Sequence, residues 1–372
     1  MRTLIVDPVA PAPYNLDSLR GGALGGTEAT VIRIAEGLDA RVLQHNRAQD
    51  QGRYLAGAAI AADGGGGGRA APEASHVVVL REPAAALAQR QRYPQARIWL
   101  WLHDLCGPGS GRGDKLLAHA ARLAAAGVAL VCVSDFHAGQ VRQLLAALPL
   151  AERPRVLRIY NPVDVDGAGA AGGGGAAADY DPNKLAFFSS PHKGLDYTLH
   201  LFRHLHKRNP ALRLYLANPG YRSATLDAQP GVVNLGAIPH HELMQHLRGA
   251  LCAFYPNYVY PETFGLVLAE SNAVGTPVLA HGIGAAAEVL NGAGQLIAVP
   301  RVRALADRVF WRWPALRPAG ERGLNLLGAA DGYAATLRRW QQGGRPRVGG
   351  QARFALERVL ADWRAELAGA AP

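Results

Sequence analysis

A chain of 372 residues is long for one hydrophobic core and comfortable for two. Hydrophobic residues make up 49% and charged residues only 18%, a balance that excludes an intrinsically disordered chain. The formal charge of +10 suits an anionic ligand or an acidic membrane surface. Its arginines, however, are scattered among alanine and glycine, with no dense basic run or aromatic interleaving, so no nucleic acid is expected as a partner.

The first apolar run, Leu4 to Val6, ends at Asp7; it is too short for a signal peptide and predicts a strand over 3–7. GTEATVIRIAEGL (26–38) places Val31, Ile32, Ala35 and Leu38 at helical spacing. Short strand-like runs follow at 41–46, 76–80, 97–102, 128–134 and 155–160. The stretch from Leu116 to Val133 is interrupted by His119, Arg122 and Gly127, which predicts a helix and then a strand, not a membrane span.

After Asn161-Pro162 the pattern restarts. Strands are predicted at 185–190, 213–218, 232–236, 252–256 and 276–280. Helices are predicted over 194–209, 242–249 and from about 264. Strands alternating with amphipathic segments predict an α/β fold of two Rossmann-like α/β/α units, with a cleft between them and an amphipathic segment (354–367) left over. DGGGGGR (63–69) and GAGAAGGGGAAAD (167–179) lack side chains for a core and are expected to be flexible loops. Cys106, Cys132 and Cys252 have no metal or disulfide spacing. They predict a reducing compartment, hence a cytoplasmic protein, with the positive charge allowing peripheral contact at the inner face of the membrane.

The residues that carry chemistry are concentrated in YPETFGLVLAESNAVGTPVLAHGIGAAAEVL (260–290). Glu262 and Glu270 stand eight apart across a predicted helix start, a little over two turns, so both can lie on roughly one side of that helix. A carboxylate at a helix mouth accepts hydrogen bonds from sugar hydroxyls while nearby amides favour phosphate, although the same pattern also serves as a plain complement to the helix dipole. Upstream, SSPHKGLDYTL (189–199) sets Lys193-Gly194 in a strand-to-helix loop, where an ammonium and helix amides can meet a diphosphate. In the first half, Gly25-Gly26-Thr27 precedes a helix without forming a dinucleotide fingerprint, and WLWLHD puts His103 at the carboxyl end of a strand. Asp164-Val165-Asp166 superficially matches a metal-binding DxD, but Asn-Pro-Val-Asp suits an interdomain linker better. No metal is expected.

The 260–290 segment resembles the E-x7-E signature of retaining glycosyltransferases of family 4, which have the GT-B fold; its ETFGLVLAE core, the following A-x-G-T-P-V and Glu288 fall where that family has them. NLGAIPHHELMQHLRGALCAFYP, VSDFHAGQV and IYNPVDVD fit as well, so the likeness runs from residue 21 to about 290. The resemblance implies an acceptor-side domain over 1–162 with a C-terminal helix at about 350–372, and a donor-binding domain over 163–349. It implies that Glu262 contacts the donor sugar and Glu270 the nucleotide ribose. Thr263 and the backbone of Phe264, Gly265 and Leu266 would contact sugar and phosphates, and Lys193 would neutralise the leaving diphosphate. Gly25, Gly26 and Thr27 would form the glycine loop, and His103 would touch the donor sugar near the reacting carbon. One departure stands out: the family's arginine upstream of the lysine is absent, and Ser189 and Ser190 can donate hydrogen bonds there but no charge.

The expected activity is retaining transfer from a UDP- or GDP-sugar to a sugar or lipid-linked acceptor, as in bacterial envelope polysaccharide or glycolipid synthesis, with no cofactor. A non-catalytic carbohydrate-binding protein of the same fold is the main rival. A nicotinamide-dependent oxidoreductase is disfavoured by the missing GxGxxG.

Overall fold

A computed structural model of the protein describes residues 2–21, 24–57, 72–165, 180–217, 228–257, 260–298 and 330–369. Both glycine-rich stretches, 63–69 and 167–179, and Asp166 lie outside these residues. The chain divides into two compact units, Met1–Asp164 with Ala352–Pro372, and Val165–Gln351.

In the first unit, strands β1 (Thr3–Asp7), β2 (Arg41–Gln44), β3 (Tyr54–Ala56), β4 (His76–Leu80), β5 (Arg97–Trp101), β6 (Ala129–Cys132) and β7 (Val156–Arg158) form a parallel sheet in the order β3-β2-β1-β4-β5-β6-β7. Ile5 of β1 pairs with Val42 on one side and Val78 on the other. Every residue of β1 and of β6 is buried, which is why these strands read as continuous apolar runs and not as alternating ones. Helices α1 (Leu16–Gly21), α2 (Gly26–Gly37), α3 (Pro83–Arg92), α4 (Gly111–Ala125) and α5 (Asp135–Leu145) connect them. Ser110 and Ser134 cap α4 and α5 by accepting the Gly113 and His137 amides.

The second unit repeats the plan. Strands β8 (Asp181–Phe187), β9 (Arg213–Leu216), β10 (Val232–Asn234), β11 (Ala250–Tyr255), β12 (Val278–His281) and β13 (Leu296–Ile297) form a parallel sheet ordered β10-β9-β8-β11-β12-β13. Its helices are α6 (Leu195–Arg208), α7 (His240–Arg248), α8 (Leu266–Ala273), α9 (Ala286–Val289) and α10 (Ala330–Gly343). In each sheet the order reverses once, between β1 and β4 and between β8 and β11. Ligands of such sheets bind beyond the carboxyl ends of the strands at that reversal.

The last helix, α11 (Leu356–Ala368), returns to the first unit. Trp363 is wholly buried and meets Trp101 edge-on at 5.0 Å. Glu366 accepts the Trp99 indole N–H at 2.8 Å and pairs with Arg155, while Arg97 donates to the Leu367 carbonyl. Gly37 leaves room for Leu360, since a Cβ there would lie 2.4 Å from a Leu360 methyl.

Three differences from the sequence reading have local causes. Strand β8 begins at Asp181, not 185, because Asp181 and Lys184 find partners in Ala250 and Arg213; Ser189 and Ser190 consequently lie in the loop after the strand. Helix α8 begins at Leu266 and not near 264, because Gly265 takes a left-handed φ of 88° as its cap. Glu262 therefore sits in a loop, and the two-turn helical arithmetic linking it to Glu270 does not hold. Edge strands β3 and β13 are too short, at three and two residues, to show any period.

Trp363→Ala is expected to weaken the first unit by about 3–5 kcal/mol in urea unfolding, the cost of emptying a buried indole site. Leu150→Ala, at an 81%-exposed side chain, should change it by less than about 0.5 kcal/mol.

Candidate functional site

The reversal point of the second sheet brings the predicted Lys193 and Glu262 together. Tyr255 ends β11; Lys193 follows β8 in the 3-10 turn Pro191–Lys193; Glu262 lies in the loop between β11 and α8. Glu262 is only 8% exposed, and its carboxylate accepts both available Lys193 contacts, at 2.9 Å (Oε1) and 2.8 Å (Oε2), with Tyr255 Oη donating to Oε1 at 2.6 Å. Tyr255 in turn receives hydrogen bonds from Ser189 and Asn257. Burial and the adjacent Glu262 charge push the Tyr255 phenol well above its usual range, so it serves as a hydrogen-bond donor and not as an acid near neutrality. The Lys193 side chain keeps 34% of its surface in solvent and can be reached by an incoming anion.

Glycines hold this loop in place. The Glu262 carbonyl accepts the Ala285 amide at 2.9 Å, and a Cβ on Gly284 would lie 2.6 Å from that same oxygen. Gly284 also has φ 61°, and a Cβ on Gly265 would lie 3.3 Å from Glu262 Cβ. Phe264 is buried beneath the loop, and Thr263 and Leu266 are half-buried. Beyond Gly265, the first-turn amides of α8 open a helix start where an anion is favoured. Gly194, at φ 94°, opens α6 beside Lys193 in the same way, and its carbonyl accepts the Thr198 hydroxyl.

Glu270 lies inside α8, buried, with Oε1 3.0 Å from His240 Nε2 at the start of α7. The two motif carboxylates thus belong to separate clusters, one tied to a lysine and one to a histidine. Tyr255 and His240 are the members that sequence reasoning missed as site residues, while Ser189, expected to donate toward the ligand, donates to Tyr255 instead. The signal for His240 was the His-His pair at the mouth of α7, whose meaning depends on Glu270 arriving opposite it.

In the first unit, Gly25 is the N-cap of α2 and Gly26 and Thr27 form its first turn. The Thr27 hydroxyl accepts from Arg81, which follows β4. His103 follows β5, 8% exposed, with its ring 4.7 Å from that of Trp101. Burial first, and then the Arg81 charge and His137, hold the His103 imidazole well below its usual range, so it is neutral. Asp164, at the other end of this unit, is occupied by Arg33, which donates to its carbonyl at 3.1 Å and lies 3.6 Å from its carboxylate. Among the described residues, no three His, Cys, Asp or Glu side chains converge on a metal-sized space.

Residues 185–311 match the family model of glycosyl transferases group 1. Among solved structures, Anabaena Alr3699/HepE, crystallised with UDP and glucose, is 15% identical with a TM-score of 0.61, over 99% of either chain. Sucrose-phosphate synthase from Thermosynechococcus elongatus is 14% identical with a TM-score of 0.58, over 100% of either chain. The fold is that of the GT-B glycosyltransferases. S. aureus TarM shares it at 13% identity and a TM-score of 0.51, but this chain spans only about half of TarM, 54% of its length. No curated protein matches the sequence. No described helix is long and apolar enough to cross a membrane.

Two outcomes follow from this geometry. Gly284→Ala should cost the second unit about 1–3 kcal/mol in urea unfolding, because the new Cβ meets the Glu262 backbone at a left-handed φ. Gly275→Ala, at φ 78° with open space around it, should cost only the left-handed backbone strain, about 1–2 kcal/mol. Separately, burial lowers the His137 pKa to about 4 against roughly 6.5 in the unfolded chain. Between these values the unfolded state binds the extra proton, so stability falls as pH drops from about 6.5 toward 4, by about 3 kcal/mol in all. His137→Asn should remove that share of the slope in unfolding curves measured at pH 7 and pH 4.5.

Proposed function

We propose that this protein is a retaining glycosyltransferase, moving a sugar from a nucleoside-diphosphate sugar to a sugar or lipid-linked acceptor. The observation that carries the reading is the Lys193–Glu262–Tyr255 cluster at the β8/β11 reversal, inside the stretch that matches the group 1 glycosyl transferases. The second unit is the proposed donor-binding half. Solved relatives of the same fold hold UDP or UDP-glucose, and this supports UDP as the first nucleotide to try, with GDP as the alternative.

In this reading Lys193, together with the amides opening α6 and α8, meets the diphosphate and stabilises it as it departs. Glu262 accepts hydrogen bonds from the donor sugar, and Glu270, steadied by His240, takes the ribose hydroxyls. Gly25, Gly26 and Thr27 form the glycine loop of the acceptor-side half. His103, held neutral by burial, serves as a hydrogen-bonding group and not as a cation. No metal or cofactor has a part in the reaction. Placement in the cytoplasm at the inner membrane face, and a role in envelope polysaccharide or glycolipid synthesis, complete the proposal.

Thermal unfolding with UDP, GDP, ADP, their sugar conjugates and NADH, each with and without EDTA, tests it. One nucleoside diphosphate should raise Tm equally with and without EDTA, since a ligand of the native state stabilises it. Glu270→Ala should abolish that shift. Lys193→Ala should lower kcat about 10²–10³-fold, as for loss of a group facing developing charge. NMR of the product should show the donor's anomeric configuration retained. A shift by NADH alone, an inverted product, or no nucleotide response would each overturn the reading.

A further inference from the structure

The reversal point of the first sheet carries a second constellation that the proposed donor chemistry does not use. Arg81 follows β4, and its guanidinium reaches Thr27 on one side and the Asp104 carboxylate at 3.7 Å on the other. Asp104 also lies 3.5 Å from Arg112 Nε, and Glu82 accepts Arg112 Nη1 at 2.5 Å and Lys115 Nζ. Three cations thus share two carboxylates beside His103, leaving one positive charge over.

Two of the three cations stand where local stability argues against them. Arg81 has φ 61°, a left-handed backbone that a long side chain adopts only at a cost. Arg112 lies in the first turn of α4, where the helix dipole disfavours positive charge and favours acids such as the neighbouring Asp114, and Lys115 follows just beyond that turn. Local costs that converge on one spot, at the carboxyl ends of parallel strands, mark a ligand site better than a stability device. The side chains also remain reachable, with Arg112 43% and Lys115 42% exposed. Glu82, at 14%, occupies both of them as a carboxylate stand-in for an outside anion.

The geometry points to a phosphate-binding subsite formed by Arg81, Arg112 and Lys115, which selects acceptors bearing a phosphoryl group. This rests on the reading of the first unit as the acceptor-side half. Arginine forks and a lysine suit a tetrahedral anion, and since the cleft they line beside His103 measures only about 10 Å³, the anion enters in place of the Glu82 carboxylate between Arg112 and Lys115. Glu82 sets the affinity by competing for two of the three cations.

The test is a titration of the full chain with inorganic phosphate in saturating UDP, which fills the proposed donor site, read by thermal shift against chloride at matched ionic strength. Phosphate should raise Tm saturably. Arg112→Gln/Lys115→Gln should weaken its apparent Kd at least about tenfold, and Glu82→Gln should tighten it by about threefold or more, through release of two charge-assisted contacts. Opposite signs cannot come from a general loss of folding. Glucose 6-phosphate against glucose, and phosphatidylglycerol against phosphatidylcholine vesicles, then tell whether a soluble sugar phosphate or a lipid headgroup supplies the group; dependence of either on Arg112 and Lys115 supports the subsite. No phosphate response, an unchanged Kd in the double variant, or weaker binding in Glu82→Gln would overturn it. A missing UDP response would instead count against the donor assignment, so the two failures are distinguishable.

Discussion

A carboxylate that is 8% exposed has to be answered by donors, and the second unit is arranged around that demand at Glu262. Strand β11 delivers Tyr255 at its last residue, and the loop after β8 delivers Lys193. These strands are neighbours only because the sheet order reverses between them. The backbone of Glu262 is fixed separately, by the Ala285 amide and by the missing side chain of Gly284. Topology, side-chain pairing and glycine placement therefore act on one residue from three directions. Removing the lysine would leave an uncompensated buried charge, the costly way to break such a pair.

The first unit has the same winding but the opposite electrostatic solution. Its reversal point is lined by Arg81, Arg112 and Lys115, with Asp104 and Glu82 as internal counter-charges. His103, packed against Trp101 and facing Arg81, stays neutral because desolvation and a nearby cation push the same way. Glu82 shows the reverse balance. Burial would raise its pKa, but hydrogen bonds from Lys115 and Arg112 hold it below the usual carboxylate range, so it remains charged and keeps competing for them. The unit is closed by α11, whose Trp363 and Glu366 answer Trp101 and Trp99, two alternate positions on one face of β5.

Much of this was legible in the sequence where a period or a motif had enough residues to speak. The buried strands β1 and β6 and helix α6, with Leu195, Leu199, Phe202 and Leu205 buried, announced themselves. So did the Glu262–Glu270 stretch and Lys193-Gly194. What stayed hidden depended on partners distant in sequence. Nothing near Tyr255 says that it will donate to Glu262. Nothing near His240 says that Glu270 will lie 3.0 Å away. The start of α8 was misplaced by two residues because helix propensity cannot see that Gly265 turns left-handed, and with it went the idea that both carboxylates share a helix face. The arginines of the first unit were read as compositional scatter, since Arg81, Arg112 and Lys115 come together only when β4 and β5 lie side by side.

The serine that stands in place of an upstream arginine acquires a physical meaning from this arrangement. Ser189 is buried and hydrogen-bonds Tyr255, which donates to Glu262. The position thus supports the carboxylate where an arginine would have added a second cation. On the proposed reading, a diphosphate arriving at the starts of α6 and α8 draws Lys193 toward itself and away from Glu262. The carboxylate, still held by Tyr255, then has lone pairs free for sugar hydroxyls. One lysine serves both states because Ser189 and Tyr255 keep Glu262 in place when its ion pair loosens. Binding of the phosphates and presentation of the sugar-facing carboxylate then become a single coupled event.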